Sequence, residues 1–220
     1  EYVYIEKNEE TVLVERLESE IVLAFSRAEE PEVKKILCLA SYRPLIRYDW
    51  CQKLEALDSY KEVKLRLIEE PYIEKRIRGQ ILALGEISED ISHKVRSQYE
   101  ESPYPRWVKT GLHAKTKSIS EVCAGASLHL HSENIKNVAA PEILIAGCGT
   151  GQHALGTASR FSNCKVTAVD LSLASLAYAL RKTRELGLRN IEYLHADILN
   201  LDQLGHKFDI IESAGVIHHM

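Results

Sequence analysis

Gly147, Gly149 and Gly151 recur at every second position in Ile143-Leu144-Ile145-Ala146-Gly147-Cys148-Gly149-Thr150-Gly151, directly after a run of aliphatic residues. Glycine there lets the backbone turn sharply and approach a ligand closely, which a Cβ would obstruct. The segment Gln152 to Arg160 is helix-compatible, so free backbone N–H groups at its start would face that ligand. Asp170 follows about 20 residues after the glycines, where a carboxylate accepts both hydroxyls of an adenosine ribose. Asp197 is placed to accept from the exocyclic amine of an adenine, with Ile198 against the ring. The chemistry these residues share is the holding of a nucleotide-like cofactor.

No metal is expected beside it. Cys38, Cys51, Cys123, Cys148 and Cys164 are odd in number, scattered and without a C-x-x-C pair, which argues against a disulfide framework and against a zinc site. His129 and His131 could face one way, but no acidic or cysteine partner lies near them in sequence.

Such residues need a sheet to bring them together. Ile143–Ala146, Lys165–Val169, Ile191–His195 and Phe208–Glu212 read as strands one to four, the first as a strand buried on both faces. Gln152–Arg160 and Leu173–Leu186 read as the intervening helices, with Gly187 as a C-terminal stop. Strands and helices alternating through short connections make a parallel sheet with right-handed crossovers, so residues 141–220 are expected to be α/β.

Residues 1–97 have another texture, with Glu, Lys, Leu and Ile at helical spacing and few glycines. This is an expected all-helical region. Asn8 is a candidate N-cap before Glu9 and Glu10, with Val12, Leu13, Leu17, Ile21 and Phe25 along one face. Pro31 and Pro71 each follow Glu-Glu and stand where proline opens a helix well. The segments after them, Val33–Ala40 and Ile73–Leu84, share amphipathicity but no repeat consensus, which favours packed helices over a solenoid. Residues 98–140 form a linker or lid, with two prolines and three aromatics between Gln98 and Trp107. Aromatics in a connector pack into the interface between the parts they join; the functional alternative has Tyr99, Tyr104 or Trp107 reaching over the cofactor. A further helix is expected at Ser118–Leu128.

The dinucleotide fingerprint is G-x-G-x-x-G, and Gln152 stands where its third glycine belongs. That disfavours a nicotinamide cofactor, although Asp170 alone does not discriminate. The turn at Gly147–Gly151, Ala168-Val169-Asp170-Leu171-Ser172, His195-Ala196-Asp197-Ile198 and the block from Phe208 to Met220 do so together. In this order and spacing they resemble motifs I to IV of the class I S-adenosylmethionine-dependent methyltransferases, over roughly Glu142 to Met220. Gln98–Trp107, Gly147–Ala154 and Ala168–Ala179 are further similar to a bacterial branch in which tetratricopeptide repeats precede the catalytic domain.

The resemblance implies S-adenosyl-L-methionine as cofactor and a Rossmann-like parallel sheet behind an all-helical N-terminal region. It implies that Gly147, Cys148, Gly149 and Gly151 pass the methionine part, Asp170 and Leu171 the ribose, and Asp197 and Ile198 the adenine. Ser213 and Gly215 would line the methionine side, and Tyr99 would come from the connector. Methyl transfer needs alignment and exclusion of water more than catalytic side chains; His218 and His219 are the candidate bases for a hydroxyl or protonated amine acceptor. Family domains continue for further strands after the fourth, so a truncated sheet and a fragment inactive by itself are expected.

The acceptor is not named by these residues. The competing readings are a non-catalytic module binding a protein partner through its helical region and, less favoured, a nicotinamide-dependent oxidoreductase. Arg181-Lys182-Thr183-Arg184 is expected on the solvated face of its helix. A net charge of −4 does not indicate wholesale attraction to nucleic acid. No apolar run approaches the roughly 18 residues of a membrane helix, and the charged first residues are unlike a secretory signal, so a cytoplasmic protein without membrane partners is expected.

Overall fold

The computed structural model describes residues 6–54, 58, 60–85 and 103–216. The chain divides into two compact units, Glu1–Ile73 and Glu74–Met220.

The first unit is helical. α1 (Asn8–Ser26) and α2 (Val33–Tyr42) are followed by 3-10 turns at Leu45–Arg47 and Asp49–Lys53 and by α3 (Lys61–Lys64). Lys7, not Asn8, caps α1, and its N–H donates to the Glu10 carboxylate at 3.0 Å. The buried stripe of α1 is Val14, Leu17, Ile21 and Phe25, packed with Ile36, Leu39, Leu45 and Ile68. Val12 and Leu13, expected on that stripe, are exposed. Helical rotation explains the difference, because Val12 lies about 160° round the helix from Val14.

Neither proline opens a helix directly. Pro31 stands just ahead of Glu32, the N-cap of α2. Pro71 lies inside a continuous helical run, in which the π-turn Leu65–Glu69 leads straight into α4 (Glu70–Ile77). A proline within a helix lacks an N–H and crowds the carbonyl four residues back. The widened π-turn accommodates both demands.

The second unit is built on a parallel sheet. Its strands are β1 (Leu82–Ala83), β2 (Glu142–Ala146), β3 (Lys165–Asp170), β4 (Ile191–His195) and β5 (Ile210–Glu212), in the order β1-β4-β3-β2-β5. The four expected strands are present, and β1 is an addition. Leu82 pairs with Leu194 and Ala83 with His195, so part of the segment expected as helix through Leu84 enters the sheet instead. Two residues are too few to show a strand period, and their pairing partners lie far downstream.

α5 (Ile119–Gly125) begins at Ser118, whose Oγ accepts from the Glu121 N–H at 3.2 Å while the Glu121 carboxylate accepts from the Ser118 N–H at 2.7 Å. This reciprocal cap sets the start, and the helix stops before the expected Leu128. α6 (Glu133–Lys136) follows. α7 (Gln152–Arg160) joins β2 to β3 and α8 (Leu173–Glu185) joins β3 to β4.

The side-chain alternation assigns the faces. Ile143, Ile145, Val166, Ala168 and Tyr193 pack with Ala154, Ala158, Leu176 and Ala179 of α7 and α8. Leu144, Val169 and Leu194 point the other way, under Leu201, Leu204 and Phe208 around the 3-10 turn Ile198–Leu204. Full burial of each such aliphatic side chain contributes about 1.5–3 kcal/mol. Having stepped from β2 to β4, the chain returns across the sheet to β5 on the far side of β2. Strand order therefore reverses at β2, and open α/β sheets bind ligands at the carboxyl ends of strands beside such a reversal.

The basic run of α8 corrects an expectation. Arg181 and Lys182 are 3% and 8% exposed, and only Arg184 of the run faces solvent. Arg181 Nε donates to Glu74 Oε1 at 2.9 Å, and Arg106 Nη2 donates to the same oxygen at 3.0 Å. Lys182 Nζ donates to the Val108 carbonyl at 3.2 Å and to Glu185 Oε2 at 2.9 Å. The partners come from segments remote in sequence, which a charge pattern on one helix does not register. Among the described residues no helix is long and apolar enough to cross a membrane.

Candidate functional site

The turn after β2 is held by four of its backbone N–H groups. The N–H groups of Gly147 and Cys148 both donate to the Val169 carbonyl at 2.9 Å, and the Gly151 N–H closes the turn on the Cys148 carbonyl at 2.9 Å. The Gly149 N–H donates to Asp170 Oδ2 at 2.7 Å. All three glycines have positive φ, at 79°, 51° and 82°. Their surroundings differ, however. A Cβ on Gly147 would stand 2.3 Å from Val216 Cγ2, and one on Gly151 would stand 2.5 Å from Ala179 Cβ. At Gly149 it would meet nothing within 4 Å. Gly147 and Gly151 are thus demanded by the protein's own packing, whereas Gly149 opens to space a ligand can fill. Cys148 turns its thiol into the core beside Ile145 and Ala154, and burial, with Asp170 adding to it, pushes that thiol well above its ordinary range. It can offer a ligand only backbone.

Asp170 ends β3, and its Oδ1 accepts from the Ser172 N–H at 2.9 Å. Burial pushes its carboxyl above the usual value, against the opposing pull of the N–H bonds from Ser172 and Gly149. Each carboxylate oxygen accepts from a backbone N–H and keeps further acceptor capacity, a fit to the two neutral hydroxyls of a ribose. Leu171 is placed by its carbonyl, which accepts from His195 Nε2 at 2.9 Å. His195, at the end of the neighbouring strand, was not singled out from sequence. Its pairing with Asp170 across β3 and β4 is visible only once register is known.

Asp197 is buried and caps the 3-10 turn, with Oδ1 accepting from the Leu199 N–H at 2.9 Å. It and Ile198 follow β4 directly and so stand at the same edge of the sheet as the glycine turn. Beyond β5, Ser213 Oγ donates to the Ala146 carbonyl at 2.9 Å and Gly215 has φ 73°. This latches the loop after β5 to the end of β2, consistent with Val216 lying against Gly147. Asp209 is structural, since its Oδ2 accepts from the Glu142 N–H at 2.9 Å. Glu212 accepts from Thr157 Oγ1 at 2.5 Å and from His153 Nε2 at 2.9 Å. Burial would raise its carboxyl, but those bonds outweigh it and leave it below the ordinary value.

Tyr99, His218 and His219 lie outside the described residues. Of the other connector aromatics, Tyr104 is exposed and Trp107 is buried beside Leu155 and Tyr178. Trp107 therefore packs into its own unit and does not reach over an open crevice. Trp107 Nε1 donates to the Thr150 carbonyl at 3.1 Å, and Thr150 Oγ1 donates to the Pro105 carbonyl at 2.7 Å. Thr150 escaped the sequence reading because threonine between glycines carries no signal of a distant partner. Among the described residues no group of three His, Cys, Asp or Glu is arranged to hold a metal ion.

Residues 143–220 match the family described as Methyltransferase domain. The matched segment holds β2 to β5 and the glycine turn. Its strands are parallel and joined by crossover helices, an α/β arrangement. The chain is 30% identical over 122 residues to a probable (S)-tetrahydroprotoberberine N-methyltransferase of Papaver bracteatum, covering 54% of this chain and 34% of the relative. It is 35% identical over 95 residues to (S)-coclaurine N-methyltransferase of Papaver somniferum, covering 43% and 27%. Among solved structures, PKMT2 from Rickettsia typhi in complex with AdoHcy is 30% identical, with 34% of this chain and 15% of that one covered and a TM-score of 0.33. The chain spans about a third or less of the length of these curated relatives. The sheet places Gly149, Asp170 and Asp197 at the carboxyl ends of β2, β3 and β4, with the strand reversal at β2.

Proposed function

We propose that this protein is a methyltransferase that binds S-adenosylmethionine at the carboxyl ends of β2, β3 and β4 and passes its methyl group to a nucleophile by in-line displacement. The observation that carries the reading is the pair Gly149 and Asp170, an open glycine turn bonded to a half-buried carboxylate. The cofactor supplies an electrophilic methyl on a sulfonium. In this reading Gly147, Cys148, Gly149 and Gly151 offer backbone to its methionine part, with Ser213 and Gly215 on the same side. Asp170 accepts from the ribose hydroxyls beside Leu171, and Asp197 and Ile198 hold the adenine. Tyr99 remains the connector's contribution, and His218 and His219 remain the candidate bases.

The segment Gln98–Trp107 supports a place in the bacterial tetratricopeptide-repeat-associated branch. Two relatives whose names state N-methylation make an amine the first acceptor class to try. Calorimetric titration of the full-length protein with S-adenosylhomocysteine tests the cofactor assignment. Binding that Asp170→Ala abolishes supports it. Absence of binding by the wild-type protein points to a non-catalytic module with a protein partner at its helical region, and binding of NADH instead points to an oxidoreductase.

A further inference from the structure

Four consecutive residues between β1 and β2 are tied down around the glycine turn and α8. The Pro105 carbonyl accepts from Thr150 Oγ1 at 2.7 Å. The Arg106 guanidinium donates to both oxygens of Glu74 at 3.0 and 3.1 Å and stands 4.8 Å from the Tyr178 ring centroid. Trp107 donates from its indole to the Thr150 carbonyl at 3.1 Å, accepts from the Tyr178 hydroxyl at its own carbonyl, and has Lys182 Nζ 5.2 Å from its ring centroid. The Val108 carbonyl accepts from Lys182 at 3.2 Å.

Two of these bonds converge on a single residue, Thr150, which is 2% exposed and stands between Gly149 and Gly151. The planar, trans peptide linking Thr150 to Gly151 directs the Thr150 carbonyl and the Gly151 N–H to opposite sides. Trp107 holds the first while the Cys148 carbonyl holds the second, so the orientation of that peptide is set from both ends. A loop with three positive-φ glycines loses much conformational entropy when it is ordered. Contacts that order it before the ligand arrives reduce the cost of binding.

We propose that Pro105, Arg106 and Trp107 form a strap that pre-orders the cofactor turn through Thr150, and that Thr150 and Trp107 are positioning residues for S-adenosylmethionine. Neither side chain touches the cofactor in this arrangement; both act through the backbone of Gly149–Gly151. The inference rests on the cofactor reading above.

The test compares S-adenosylhomocysteine affinity, by calorimetry on the full-length protein, with thermal unfolding in the absence of ligand. Thr150→Val keeps the side-chain shape and removes the hydroxyl, Thr150→Ser restores it, and Trp107→Phe keeps a ring without the indole donor. Thr150→Val and Trp107→Phe are expected to weaken binding about tenfold, the scale of one lost buried hydrogen bond, and Thr150→Ser to bind nearly as wild type. Should Trp107→Phe fail to fold, the Val and Ser pair at Thr150 decides alone. Affinity within about twofold of wild type in Thr150→Val overturns the strap, as does weakened binding that Thr150→Ser does not rescue. Wild-type protein that binds no S-adenosylhomocysteine overturns the cofactor reading itself and the strap with it, a result distinct from wild-type binding that the variants leave unchanged.

Discussion

The backbone N–H of Gly149 donates to Oδ2 of Asp170 at 2.7 Å, joining the turn after β2 to the end of β3. The other carboxylate oxygen accepts from the Ser172 N–H at 2.9 Å, at the start of α8. One side chain thus links a strand end, a glycine turn and a helix start. The carboxylate proposed to hold the ribose also fastens the loop proposed to receive the rest of the cofactor.

Because burial raises the Asp170 carboxyl above its ordinary value, two opposite pH dependences are expected. Folding alone favours the protonated form, so the Asp170 contribution to stability is lost as pH rises through the raised value. Hydroxyl donors of a ribose favour the ionised form, so S-adenosylhomocysteine affinity is expected to fall as pH drops through that same range, above where an ordinary aspartate would titrate. Calorimetric titrations across acid pH check this; affinity that holds until the ordinary aspartate value contradicts it.

The three glycines are expected to separate by substitution. Gly149→Ala adds a Cβ into open space, so only the positive-φ strain of about 1–2 kcal/mol acts on stability, while ligand approach is blocked. Gly151→Ala drives a Cβ to 2.5 Å from Ala179 and 3.0 Å from the Tyr193 hydroxyl, adding about 1–3 kcal/mol of overpacking to that strain. Urea unfolding should rank Gly151→Ala well below Gly149→Ala, and S-adenosylhomocysteine binding should be lost in Gly149→Ala protein that remains folded.

Glu74→Gln is expected to destabilise the second unit by about 1.5–3 kcal/mol, since it removes the carboxylate charge shared by Arg106 and buried Arg181 while Arg181 keeps its ion pair with Glu185. Glu74→Gln with Arg181→Met, which removes the buried guanidinium as well, should recover part of the loss. Chemical denaturation of the single and double variants measures the coupling.

Glu212 titrates in the opposite sense to Asp170. Its bonds to His153 and Thr157 hold the carboxyl below the ordinary value despite burial, so its contribution is present at neutral pH and is lost as pH falls through the depressed value. Glu212→Gln should cost about 1–2 kcal/mol near neutrality and progressively less in acid. A pH series of urea midpoints for wild type and variant tests the sign.

Much of the second unit was legible because parallel strands and their crossover helices are local in sequence. Ile191–His195 and Gln152–Arg160 match the structure end to end, since each is bounded by turn or capping signals. β1 was not legible, being two residues paired with a strand far away. Arg181 and Lys182 were misplaced on the surface because their partners, Glu74 and Val108, are distant in sequence. Pro71 misled in another way, since a π-turn can carry a proline that would otherwise begin a helix.

The sequence by itself determined the α/β pattern of the second unit, the glycine turn and the acids at the ends of β3 and β4, because strand period, turn residues and helix stops act over a few neighbours. Tertiary structure alone decided which glycine faces open space, which carboxylate locks the turn, and that Thr150 is held from Pro105 and Trp107. Those outcomes depend on register, burial and hydrogen bonds between segments far apart along the chain, which become definite only when the sheet is assembled.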